Sequence, residues 1–190
     1  NTDAGWNGSY NYVTWNWKAG GGAGSSNTDG STNTTTTTVN TTAGFSMSTY
    51  TGTGSNTSIG HGLGTVPHWI MCKRLNATGF DWFVYHKSLG QGKFIVLDSG
   101  NAEQSSTSIW QNTTPTSSVI TLGSDGGVNA SGGTYICYSF AEKKGFSKFG
   151  SYRGNGSNNG TFVYCGFKPS MVILKEIEST SAWFIIDNER

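Results

Sequence analysis

The chain has 190 residues, a formal net charge of +1 and only 12% charged side chains, so no electrostatic field draws it to nucleic acid or to an anionic membrane. Aromatic residues make up 13%, enough for a real core, which separates it from disordered polar chains. No run approaches the roughly 20 apolar residues that span a bilayer as a helix. No signal peptide is visible and the first residue is not Met, so a processed chain or a piece of something longer is expected.

In chain order, "YVTWNW" (12–17) reads as a strand with alternating aromatics. Gly20 to Thr42, "GGGAGSSNTDGSTNTTTTTVNTT", holds almost nothing that can be buried and suits a flexible or extended linker over 20–43. Its Thr run has β-propensity enough to add an edge strand or to lie along a neighbour. Strands then follow at "GFSMSTYTG", "SIGHGL", "HWIMCKRL", "DWFVYHK" and "KFIVLDS". "NAEQSSTSIW" has room for a helical turn or two, and "SVITLG" and "TYICYSFA" complete the series. In the last of these, Ile136, Tyr138 and Phe140 point one way and Tyr135, Cys137 and Ser139 the other. Turn chemistry such as "NATG", "LGQG", "SDGG" and "NGSNNG" separates the strands. The fold class is therefore all-β: antiparallel β-sandwich (jelly-roll-like) modules in tandem.

The tandem arrangement comes from an internal repeat. Phe45 matches Phe146 at an offset of 101, Pro67 matches Pro169 and Lys73 matches Lys175 at 102, and Trp82-Phe83 matches Trp183-Phe184 at 101. "YVTWNWKAGG" at Tyr12 resembles "YICYSFAEKKG" at Tyr135. The expected organisation is the end of a preceding module (1–19), a linker (20–43), a complete module (44–144) and the first half of a following module (145–190). Half-modules leave apolar runs such as "FVYCGF", "MVILKEI" and "WFIIDN" without a second sheet. They are expected to pack on neighbouring chains or on parts of the same protein beyond this chain. Alternatively, residues 1–19 complete the 145–190 half-module within one chain.

Chemistry-bearing patterns are sparse. A glycan depolymerase needs two flanking carboxylates, and Asp81, Asp98 and Glu103 are scattered. His61, His68 and His86 lack metal-ligand spacing, and the repeat replaces His61 by Val163 and His86 by Asp187. "NTDGS" at Asn27 is a fragment of a calcium loop without its closing Glu and reads as a plain turn. Cys72, Cys137 and Cys165 sit in apolar runs as small hydrophobes; a disulfide between two of them is allowed but unsupported by spacing. No catalytic residue, metal or cofactor is expected. Trp82 and Trp69 are expected inside the module. Trp110, in "SSTSIWQNTTP", offers a face for a sugar ring and equally fits as a plug at one end of the sandwich.

The motif series "TTAGFSMSTYTGTGS", "HGLGTVPHWIMCKR", "DWFVYHKSLG" and "NTTPTSSVITLGSDGGVNASGGTYICYSFAEKKGFSKFGSYRGNGS" resembles a module of tail-fibre and adsorption proteins of phages of aquatic bacteria, especially marine cyanophages. The resemblance spans nearly the whole chain and keeps the motif order. It implies a virion structural protein of the distal tail, a homotrimer, other tail proteins as partners, and contact with host surface polysaccharide through an unidentified site for which Trp110 is a candidate. Capsid decoration and a cell-surface adhesin or filament subunit are the rival readings. The resemblance brings no catalytic residues with it.

Overall fold

Strands form where β-branched and aromatic residues run between Gly- and Asn-rich turns. The computed structural model describes residue 9 and residues 11–188. In chain order its strands are β1 (Thr36–Asn40), β2 (Phe45–Thr51), β3 (Thr57–Gly60), β4 (Trp69–Arg74), β5 (Phe83–His86), β6 (Lys93–Val96) and β7 (Gln104–Ser105). They continue with β8 (Val119–Leu122), β9 (Thr134–Phe140), β10 (Met171–Lys175) and β11 (Trp183–Asp187). Two single-turn helices, α1 (Thr107–Trp110) and α2 (Gly126–Asn129), flank β8. The fold is the expected all-β antiparallel sandwich, with unequal layers: a seven-stranded sheet in the order β1-β2-β9-β4-β5-β6-β7 faces the pair β3-β8.

The inner face of the large sheet carries Tyr50, Ile70, Cys72, Tyr85, Tyr135 and Cys137. Ile59, Ile120 and Leu122 of the small sheet and Ile109, Trp110 and Val128 of the helices close over them. Burying each such side chain contributes about 1.5–3 kcal/mol. The helices are short because each is a device for turning inward. Ser106 caps α1 by accepting from Ser108 N–H at 3.1 Å, and Asp125 caps α2 by accepting from Gly127 N–H at 2.7 Å. Where β8 leaves the sheet, a Cβ on Gly123 would lie 2.0 Å from the Ser108 carbonyl oxygen, so only glycine lets the strand approach α1 this closely.

The expected linker is not one. Thr36–Asn40 pairs along β2 as the edge strand of the large sheet, and Ser25 forms a bridge to Thr37. A chain of buried hydroxyls, Thr34 to Thr37 to Ser48 with 2.9 Å at each step, ties this segment to the sheet. The threonines that made it look unburiable are satisfied by one another, so hydrogen bonding replaces apolar burial. Replacing Thr37 by valine keeps the shape and leaves Thr34 and Ser48 without that partner. It is expected to cost about 1–2 kcal/mol, read as a lower urea midpoint at unchanged m-value.

Trp69 is buried as expected, whereas Trp82 is only half-buried, on the outer face of the large sheet. There it stacks on Tyr138 with ring centroids 6.0 Å apart. Among the described residues "YVTWNW" is not assigned to a strand, and the part of 1–19 before Asn11, Ser9 apart, lies outside the described residues.

The repeat is visible in three dimensions. In the hairpin β4–β5, Trp69, Ile70, Met71 and Cys72 face His86, Tyr85, Val84 and Phe83. In β10–β11, the counterparts Met171, Val172, Ile173 and Leu174 face Asp187, Ile186, Ile185 and Phe184, pair for pair. Both ladders end on the same bond: Lys87 N–H to the His68 carbonyl at 2.8 Å, and Asn188 N–H to the Ser170 carbonyl at 3.1 Å. The repeated lysines share a task as well, Lys73 donating to the Phe80 carbonyl and Lys175 to the Ser181 carbonyl. The rest of the second copy does not follow the first. Residues 145–152, the counterpart of β2, form no strand, and Phe162 and Tyr164 are 86% and 78% exposed.

Candidate functional site: an aromatic groove on the outer sheet face

The outer face of the large sheet is also apolar. Rows run across it in register: Phe45–Phe140–Trp69, then Met47–Tyr138–Met71–Val84. Three pieces of chain lie on these rows. Trp17 meets the Phe140 ring edge-on at 5.7 Å, Phe149 packs on Trp69 at 6.2 Å, and Ile173 and Trp183 of the hairpin join the same cluster. The hairpin is pinned at the far edge by Trp183 Nε1–H donating to the Val96 carbonyl at 2.9 Å and Lys175 Nζ to the Gly100 carbonyl at 3.2 Å.

Between these coverings remains a groove of about 400 Å³ whose walls include Trp15, Trp17, Phe45, Met71, Trp82 and Tyr138. Its polar fittings are few. Lys73 Nζ stands 5.9 Å over the Trp82 ring and 3.7 Å from Asp98, whose other oxygen accepts the Trp82 backbone N–H at 2.9 Å. Such a surface holds apolar faces, of side chains or of sugar rings, and has no nucleophile–base arrangement on its walls.

A family model for a domain of unknown function, DUF7483, matches residues 1–190. The chain belongs to this family. No curated protein and no solved structure matches it. In the DUF7483 chain the family match thus runs through the central module, the hairpin of the second copy and the segment bearing Trp15 and Trp17 alike.

The residues singled out from the sequence fall elsewhere. Trp110 is 2% exposed in the inner core, edge-on to Tyr85 at 6.3 Å, so of its two expected roles the buried plug holds and the glycan assignment is withdrawn. The cause is α1, whose single turn swings a polar-flanked tryptophan inward. Buried His61 accepts the Leu63 N–H at Nδ1 (3.2 Å), which leaves Nε2–H for the Thr116 carbonyl at 3.3 Å. His68 and His86 lie near one another, each also accepting a backbone N–H at Nδ1, from Glu142 and Ser88. All three are therefore neutral hydrogen-bonding groups. Asp98 is engaged with Lys73 and Glu103 with Lys93. Among the described residues no three His, Cys, Asp or Glu side chains converge as metal ligands. The "NTDGS" segment is a turn: Asp29 N–H donates to Asn27 Oδ1 at 2.9 Å, and Gly30 presses on the backbone of β3.

Sequence reasoning missed the groove itself. The signal was in β9, whose two faces are both aromatic or apolar; a strand with no polar face is covered on both sides.

Proposed function

We propose that the chain is a structural segment of a phage tail fibre, in which β modules of this kind stack to space and stiffen a trimeric shaft. The observation that supports this reading is the hairpin β10–β11, which repeats β4–β5 pair for pair and seats on the apolar outer face of the module before it. A surface that one module offers and the next covers is the basis of a linear array. In the central module β9 lies along the other edge of β4. The corresponding edge of β10 takes a β9-like strand, and Tyr12–Trp17 of a neighbouring copy has that pattern. The register carries over from Cys72 opposite Cys137 to Leu174 opposite Thr14.

The experiment is disulfide trapping with Thr14→Cys and Leu174→Cys in a Cys165→Ser background. The expected result is chains linked end to end, with no link when Ile173→Cys replaces Leu174→Cys. A link within one chain would replace stacking between copies by self-completion, and no link at all would remove the arrangement. The mass of the assembly is expected to be that of a trimer or of whole trimers stacked end to end; a monomer or a dimer would count against the shaft. Electron microscopy that places the chain on the capsid would favour a decoration protein instead.

The groove favours a second role for the same segment, binding host surface glycan through Trp82 and Tyr138. Trp82→Ala is expected to abolish binding of host polysaccharide while leaving the unfolding free energy within about 1 kcal/mol of the parent's, because Trp82 is half-buried and outside the inner core. Unchanged binding would leave the structural role alone.

A further inference from the structure

The structure assigns Cys72 and Cys137 to a cross-strand disulfide of the central module, closed by thiol–disulfide exchange as the chain folds. They face each other on adjacent antiparallel strands, β4 and β9. That ladder ends on Leu75 N–H donating to the Thr134 carbonyl at 2.7 Å. Counting back, the hydrogen-bonded pairs are Lys73–Ile136 and Met71–Tyr138, so Cys72–Cys137 is the non-bonded pair between them. Residues in such pairs have Cα atoms about 4.5 Å apart, within the span a disulfide bridges without backbone movement. Both side chains point into the inner core, where the two cysteines are free thiols and the Cys72 S–H donates to the Cys137 sulfur at 2.8 Å.

The repeat strengthens the case. Where β10 repeats β4, Leu174 stands in place of Cys72; where Tyr12–Trp17 echoes β9, Thr14 stands in place of Cys137. Both cysteines therefore occur only in the copy that holds both positions.

The step balances as exchange with a small-molecule disulfide. One cysteine thiolate attacks it, forming a mixed disulfide and releasing one thiolate. The second cysteine thiolate then attacks the first cysteine's sulfur, forming the Cys72–Cys137 bond and releasing the other. Two electrons reduce the small disulfide, and the two protons end on its thiols. The finished core buries both sulfurs. Burial, with the neighbouring Cys72 sulfur, also pushes the Cys137 thiol well above its ordinary pKa, against a small opposing pull from Ser139. Exchange therefore runs before β4 and β9 have closed, when thiolate is accessible.

The test is a thiol count. The full chain is refolded in a buffer of oxidised and reduced glutathione, freed of small thiols, then unfolded in denaturant without reductant. One titratable thiol, Cys165, is expected, and none in a Cys165→Ser variant. Three thiols in the parent or two in the variant would overturn the assignment. One thiol in the parent with one remaining in the variant would overturn it too, because the bond would then involve Cys165. Reduction of the refolded protein is expected to lower its Tm by roughly 10 °C, as loss of a cross-link closing a long loop does.

Discussion

Replacing Trp110 by alanine is expected to lower the unfolding free energy by about 3–5 kcal/mol, the range for emptying a large buried aromatic site. The residue is among the largest fully buried side chains and fills the space between α1, β8 and the inner face of the large sheet. Its neighbours are poorly placed to collapse into the void. Ser106 caps α1 at one end, and at the other the Gln111 side-chain amide donates to the Thr57 and Leu122 carbonyls at 2.9 and 2.6 Å. Phenylalanine at this position is expected to cost less than the lost volume alone implies. The indole N–H of Trp110 is buried without an acceptor, and removing it relieves that cost. Urea titration followed by circular dichroism checks both variants. A midpoint for Trp110→Ala equal to the parent's would place the ring at the surface and restore it as a sugar platform.

Acidification is expected to destabilise the protein in two stages. Burial holds His61, His68 and His86 below the ordinary histidine value, His86 falling from 6.5 to about 4 with help from Lys87 and His68. The folded chain keeps these rings neutral, whereas the unfolded chain protonates them once the pH drops below 6.5. The unfolded state then binds more protons, and stability falls as the pH goes from 6.5 to about 4. His86 alone accounts for up to about 3 kcal/mol of this, from 1.36 kcal/mol for each pH unit between the two values.

Glu142 governs the second stage. Burial pushes its carboxyl up, but hydrogen bonds from Lys148 (2.8 Å) and Lys87 (3.1 Å) and from the Phe149 N–H outweigh it and hold the pKa at about 2. Its contribution is complete above pH 4.5 and is lost as the pH falls from 4.5 to about 2. Thermal unfolding measured across pH 2–8 should show both stages. A His86→Gln variant should flatten the upper one while leaving the lower unchanged. A stability curve flat between pH 7 and 4 would mean that the rings are not held neutral.

Much of this molecule was legible in the sequence because its determinants are local. A strand needs alternating β-branched and aromatic residues between turns, and "WIMCKR", "FVYH" and "TYICYSF" carry that pattern within six or seven residues. The repeat was legible for a similar reason. Pro67, Lys73 and Trp82 recur at nearly constant spacing, and the hairpin they mark reappears with the same register and the same lysine bond. The alternation of short strand patterns with turn signals gave the all-β class.

Tertiary structure decided the burial of particular residues. The threonine tract looked like linker because burial was sought in apolar side chains. Its hydroxyls instead find partners on Ser48 and on one another, and those partners are set by a fold that local pattern does not encode. For the same reason Trp82 left its expected place inside the module, and only the fold decided for Trp110 between a plug and a sugar platform, in favour of burial. Trp82 lies beside a strand yet faces outward, while a four-residue helix carries Trp110 from a polar stretch into the core. Whether a side chain meets water depends on which layer covers its face. Here the outer layer comes from residues 15–19, Phe149 and the β10–β11 hairpin, segments far apart in the chain that only folding brings onto one side of the sheet.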